Sequence, residues 1–297
     1  MDDFRALVSV NPSEAILSTL EDFSSVITLQ TGAILYPSPW RITELPRNLH
    51  AAAVAAGRRL TSLDHVKKSY TEAMEVEGPP TAADAYNAAY RLARDHMRVT
   101  REGLVPNPLA PEDHFGQFAA AVALQRLESG FRAAHLLYRL GLNLEGDAVS
   151  RQILEQLAWA AAVRPLASLN DIDAIEPQSE MGKLKALLPE AGKLYGWLSD
   201  IAHAGLAEHR AHFQIEADGR GAVLLSWGRL STSARLMLTL ADAWVVVCEF
   251  TQADQVTDFR GLISREELRP DPARVFLAAA EEAVASIKLR EAAAGDM

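Results

Sequence analysis

Two stretches set polar side chains at helical intervals suited to a catalytic or binding site. Arg151 and Glu155 stand four apart within GDAVSRQILEQLAWAAAVRP, Gly146 to Pro165, and Tyr195, Ser199 and His203 repeat at the same interval further on. Residues four apart lie one above the other on a helix, so each set forms a polar line along one face. Asp200, three before His203, is close enough on that helix to touch it. Brought together, the two lines would supply general acid/base chemistry on a phosphorylated substrate. His203 would exchange a proton near neutral pH, Arg151 would neutralise a phosphate, and Glu155 would orient the imidazole or accept a proton. Tyr195, Ser199 and Asp200 would be the binding groups. The same residues also read as an interhelical hydrogen-bond network, because buried polar groups must pair whether or not they do chemistry. Arg ahead of Glu at this spacing is the weaker orientation for helix stabilisation, which leaves the pair able to look outward.

The elements that must position these lines are helical. Asp147 reads as the N-cap of the first helix and Pro165 as its stop. Val149, Ile153, Leu157 and Ala160 give it one apolar face, which Leu154 and Ala161 widen until its second half is apolar nearly all round. A helix of that kind sits inside a larger bundle. Glu112 to Gly141 reads as one long helix before it, so that Glu112 to Arg164 forms an antiparallel helical hairpin. Pro189 opens the helix bearing Tyr195, with Leu194, Leu198, Ile201 and Gly205 on its apolar face.

Elsewhere the spacing predicts helices over Ser13 to Leu29, Pro46 to Ala56, Ser62 or Asp64 to Glu75, Thr81 or Asp84 to near Gly103, Ser179 to Leu188, Ser231 to Cys248 and Pro272 to Glu291. Tyr36 to Trp40 reads as extended or turning. Phe213 to Glu216 and Ala222 to Trp227 flank the turn ADGRG and read as a small β-hairpin. The fold class is therefore all-α, a multi-helix bundle with one hairpin near 213–227. VPNPLAP, Val105 to Pro111, reads as a linker between an N-terminal helical subdomain, 1–104, and a main bundle, 112–297.

Composition narrows the function. With 297 residues and a formal net charge of −10, the chain suits neither indiscriminate nucleic-acid binding nor adhesion to an anionic membrane, although a local basic site is compatible with both numbers. The single cysteine, Cys248, excludes an intrachain disulfide, and the acidic start does not resemble a secretion signal. The longest apolar run, Leu236 to Phe250, is interrupted by Asp242 and Glu249 and reads as too short and too charged to span a bilayer. The expectation is a cytoplasmic protein without membrane association. Neither GxGxxG, nor GxxxxGK[ST], nor a GxSxG elbow occurs. Asp200 with His203, and His209 with His212, have ligand spacing, but helical carboxylate metal sites use repeated Glu-x-x-His motifs, which are missing. The reading carries no metal and no cofactor.

The order R-x-x-x-E on a buried helix, a polar connection, then Y-x-x-x-S-x-x-x-H on a later helix resembles a bacterial helical domain family, similar in general appearance to the HEPN class of helical bundles. The resemblance covers about Phe115 to Phe213 and rests on Arg151, Glu155, Tyr195, Ser199 and His203. It implies a metal-independent ribonuclease or nucleotide-handling protein of a defence or toxin system, with RNA or a nucleotide as partner. Other members of that class are non-catalytic. The HEPN mark is an Arg followed four to six residues later by a His, and Arg59 to His65 and Arg91 to His96 have the spacing but carry Leu after the Arg. In the matching region Arg and His sit on different helices. The alternative function is a non-catalytic helical interaction module, a homo-oligomer and most simply a homodimer, whose polar cluster fixes packing.

Overall fold

In the computed structural model, which describes residues 23–28, 32–37, 44–71, 81–105, 114–202, 213–215, 221–223 and 229–295, the chain forms two compact units, 1–87 and 88–297. Among the described residues the architecture is helical with two short hairpins. The expected linker falls almost wholly outside the described residues.

In the first unit, β1 (Phe23–Thr28) pairs antiparallel with β2 (Gly32–Pro37), in the register Phe23 to Pro37 and Thr28 to Gly32. This corrects the helix expected up to Leu29. Phe23, Val26 and Ile27 satisfy a helical spacing, but Val26, Ile27 and Thr28 are β-branched and pair better on a pleated ladder once GAILYP lies alongside. Residues 13–22 lie outside the described residues. α1 (Leu45–Arg58) runs through Gly57, which was expected to end it. Arg59 takes the left-handed turn instead, at φ 55°, and donates its N–H to the carbonyls of Ala55 and Ala56. Ser62 caps α2 (Leu63–Tyr70), accepting from the His65 amide at 3.3 Å. Ala51, Ala55 and Val66 close the small core between these two helices.

Thr81 and Asp84 form a reciprocal capping box at the start of α3 (Ala82–Glu102): the Asp84 amide donates to the Thr81 hydroxyl at 3.2 Å, and the Thr81 amide to Asp84 Oδ2 at 2.7 Å. The division between the units falls inside this helix, at Asn87.

The second unit is built on the hairpin of α4 (Phe115–Arg139) and α5 (Asn143–Val163). Gly141 turns the chain at φ 78°, and α5 begins at once. Asp147 is consequently not its N-cap. The side chain lies inside the first turns, buried, where it accepts from the Tyr138 hydroxyl at 2.8 Å and faces Arg229 at 3.5 Å. Burial pushes this carboxyl above its ordinary pKa, and the Tyr138 hydrogen bond and the Arg229 charge oppose the rise. The positive-φ glycine explains the difference, since it lets the reversal finish five residues earlier than a cap at Asp147 would require, with Leu142 in the cap position.

Gly116 lets the two helices close at the other end. Its amide donates to Leu166 O at 3.0 Å, and a β-carbon there would press into the carbonyls of Val163, Arg164 and Leu166. Gly116→Ala should therefore lower unfolding free energy by about 1–3 kcal/mol, despite alanine's better helix propensity. Urea denaturation would test this, and an unchanged midpoint would show that the α4–α5 crossing can open.

As expected, the second half of α5 is buried nearly all round, Ile153, Leu154, Leu157, Ala158 and Ala160 among its core residues. Trp159 is half-buried and donates to Ile175 O at 3.2 Å. Around α5 pack α7 (Met181–Leu187), α8 (Ala191–Ala202) and α9 (Leu230–Thr251), while α10 (Val275–Gly295) covers α9 from outside. α6 (Leu169–Asp173) is a single capped turn within the polar connection. β3 (Phe213–Ile215) and β4 (Gly221–Val223) make the hairpin expected in this region, and residues 216–220 and 224–228 lie outside the described residues.

At 22 residues and mean hydropathy 1.3, α9 is longer and more apolar than its interruptions suggested, and it has the length and composition to cross a membrane. Its apolar window is 83% buried within the fold, the pattern of a core helix. Trp244 on α9 ties it to α4 by donating to Leu124 O at 3.0 Å.

Candidate functional site

Three of the six residues singled out by spacing meet. Arg151 Nε donates to Glu155 Oε1 at 3.0 Å within α5, and Arg151 Nη2 donates across to the Tyr195 hydroxyl on α8 at 3.1 Å. The Tyr195 hydroxyl passes its proton toward the same Glu155 Oε1 at 3.2 Å, which closes a triangle. The guanidinium also lies 5.2 Å from the Tyr195 ring centroid, within cation–π range. The hydrogen bond to Tyr195 is the largest influence raising the Arg151 pKa, so the guanidinium stays charged. Side-chain exposures of 23% for Arg151 and 13% for Glu155 put the triangle at the edge of the core. Ser199 is half-buried and Asp200 exposed. His203, the proposed acid/base, lies outside the described residues, as do His209 and His212.

The triangle exists because α5 and α8 pack side by side, which brings the Tyr195 hydroxyl to Arg151 and Glu155. Removing one member should leave the others under-bonded. Tyr195→Phe is expected to lower stability by about 1 kcal/mol, and Glu155→Ala by about 1–3 kcal/mol because the partly buried guanidinium loses its counter-charge. Chemical denaturation would check both, and a Glu155→Ala variant as stable as the parent would show the triangle to be ornamental.

α8 has a second, differently furnished flank. Leu194 and Trp197 point away from Tyr195, by roughly 100° and 160° round the helix, into a cleft of about 830 Å³. Its walls come from α5, α7, α8, α9, the 268–274 segment and the start of α10, with Leu154, Leu187, Leu268 and Leu277 among its apolar lining. Pro189, Pro270 and Pro272 stiffen the loops at its edge.

The polar groups of the cleft are paired. Arg274 reaches into the wall and binds Asp242 with two parallel bonds, Nε to Oδ1 at 2.9 Å and Nη2 to Oδ2 at 2.8 Å, while its Nη1 donates to Asp271 O at 2.6 Å. Asp242 and Arg274 side chains are only 8% and 10% exposed. Behind them His96 stacks on Phe276, ring centroids 3.8 Å apart, with its Nε2 4.0 Å from Asp242 Oδ1. The imidazole Nε2 is buried and has no hydrogen-bond partner among the described residues. One turn pair further along α9, Glu249 is fully buried and receives the amides of Arg260, Gly261 and Leu262 at 2.7, 2.9 and 2.8 Å. It pins the loop that leads to the cleft wall.

Compared with known proteins, the chain matches no family model, no curated protein and no solved structure. Its chemistry is therefore read from its own residues. The cleft, Asp242 and Arg274 were not among the residues chosen by spacing, and His96 entered only as the HEPN-spaced partner of Arg91. One signal was available: Asp242 and Glu249, the two acids interrupting the Leu236 to Phe250 run, are seven apart and so lie on one face of α9. Two acids on one face of a buried helix require partners along that face. Among the described residues no group of three His, Cys, Asp or Glu side chains is placed to hold a metal ion.

Proposed function

We propose that the chain is a non-catalytic helical binding module whose ligand occupies the cleft between α5, α7, α8, α9 and α10. The observation that carries this reading is the cleft itself, with a volume in the range of small-molecule sites, predominantly apolar walls and a few fixed polar groups. The Arg151–Glu155–Tyr195 triangle supports it in a different way. Its hydrogen bonds run among its own members, so it is suited to fastening α8 against α5 and thus to holding one wall of the cleft in place.

The competing reading is the metal-independent ribonuclease implied by the HEPN-like resemblance, with His203 as acid/base and Arg151 on phosphate. The two predict opposite results for His203→Ala and Tyr195→Phe. As a binding module, the protein shows no cleavage of single-stranded RNA in metal-free buffer that exceeds the His203→Ala variant's, and Tyr195→Phe changes stability alone. RNA cleavage by the parent chain that His203→Ala abolishes at unchanged stability would establish the enzyme instead.

A further inference from the structure

We infer that the cleft takes a small uncharged lipophilic molecule carrying at most one hydrogen-bonding group, which lies against the Asp242–Arg274 pair. This rests on the binding reading above and adds the ligand's chemical class. Charge decides the class. Lys193 is paired with Glu190 at 3.1 Å, Arg269 with Glu267, and Arg274 with Asp242 through two bonds. Among the described residues, a charged head group would find no unmatched counter-charge on these walls. To reach Arg274 an anion would have to approach the Asp242 carboxylate held on the same guanidinium, and to reach Asp242 a cation would have to approach Arg274. Both members of that pair are about nine-tenths buried, where such repulsion is poorly screened.

The pair nevertheless retains capacity for a neutral group. A guanidinium has five N–H donors, and among the described residues three of those of Arg274 are engaged, by Asp242 and the Asp271 carbonyl, which leaves two for a hydroxyl or carbonyl oxygen. The remaining surface fits an apolar body: Leu154, Leu194, Trp197, Leu268 and Leu277 face the same space. Trp197, 37% exposed, also supplies a reporter.

Binding of the uncharged probe N-phenyl-1-naphthylamine to the full chain tests this. Its fluorescence should rise saturably, and 1-decanol should displace it at a concentration at least tenfold below that needed for decanoate or decyltrimethylammonium, all below their micelle thresholds. Ala186→Trp, at an exposed position of the cleft wall, and Leu277→Arg, which places an unpaired charge in it, should each weaken probe binding at least tenfold at unchanged far-UV circular dichroism. Saturable binding that both variants abolish, but with decanoate or the ammonium displacing as well as decanol, would overturn the uncharged class and leave the binding module standing. If no probe saturates, or neither variant affects binding, the cleft reading and the ligand class fail together.

Discussion

Replacing Arg274 by alanine is expected to lower unfolding free energy by about 3–5 kcal/mol, because it leaves the Asp242 carboxylate buried in the middle of α9 with its counter-ion removed. The loss goes beyond one pair. The same guanidinium holds the Asp271 carbonyl at 2.6 Å, so the segment entering α10 is released as well. The attraction within a buried pair largely offsets the cost of desolvating it, so the damage comes from breaking the pair rather than from lacking it. The double variant Asp242→Leu, Arg274→Met should accordingly recover most of the stability that Arg274→Ala loses. Urea or guanidinium titrations of the three proteins measure this directly. A cost below about 1 kcal/mol for Arg274→Ala would mean that water entering through the cleft solvates Asp242.

The second large effect is a pH dependence centred on His96. Burial, then the positive charges of Arg260 and Arg274, push its pKa from 6.5 down to about 4. The ring faces Phe276 at stacking distance and Asp242 at 4.0 Å, and Asp242 is already matched by Arg274. Protonation of His96 would therefore add a cation near two arginines, while the acid facing the ring, Asp242, is already matched. Between pH 6.5 and about 4 the unfolded chain takes up a proton that the folded chain refuses. The folded state thus has its full advantage above 6.5 and loses it as pH falls toward 4, by about 3 kcal/mol in all. His96→Leu should flatten that part of the stability profile relative to the parent, since exposed carboxylates contribute equally to both proteins. Equal slopes for parent and variant between pH 7 and 4.5 would show that His96 is protonated in the fold. Arg274→Ala should move the His96 titration upward, because a repelling cation disappears and Asp242 becomes available; its imidazole proton shifts would record the change.

The helical class, the α4–α5 hairpin and the burial of α5 were legible before any coordinates, because each of these is written in local spacing. Apolar side chains every three or four residues define a face, and a face that closes round the helix leaves it nowhere to lie but inside. The same spacing put Arg151 and Glu155 on one line of α5 and Tyr195 on one line of α8, and those lines touch. Where local signals competed, spacing alone was insufficient. Phe23 to Thr28 has helical periodicity and strand-forming residues at once, and pairing with Gly32–Pro37 settled the choice. Asp147 has the type and position of an N-cap, but the turn at Gly141 carried it into the helix, where it meets Tyr138 and Arg229.

Long-range packing set the rest: that Asp242 meets Arg274 across 32 positions, that His96 stacks on Phe276, and that α8 offers a cleft on the flank away from Tyr195. Spacing tells which side of a helix needs a partner. Which distant segment supplies it depends on the path of the connecting chain, and a cleft is space that several such paths leave unfilled, so no single stretch of sequence encodes it.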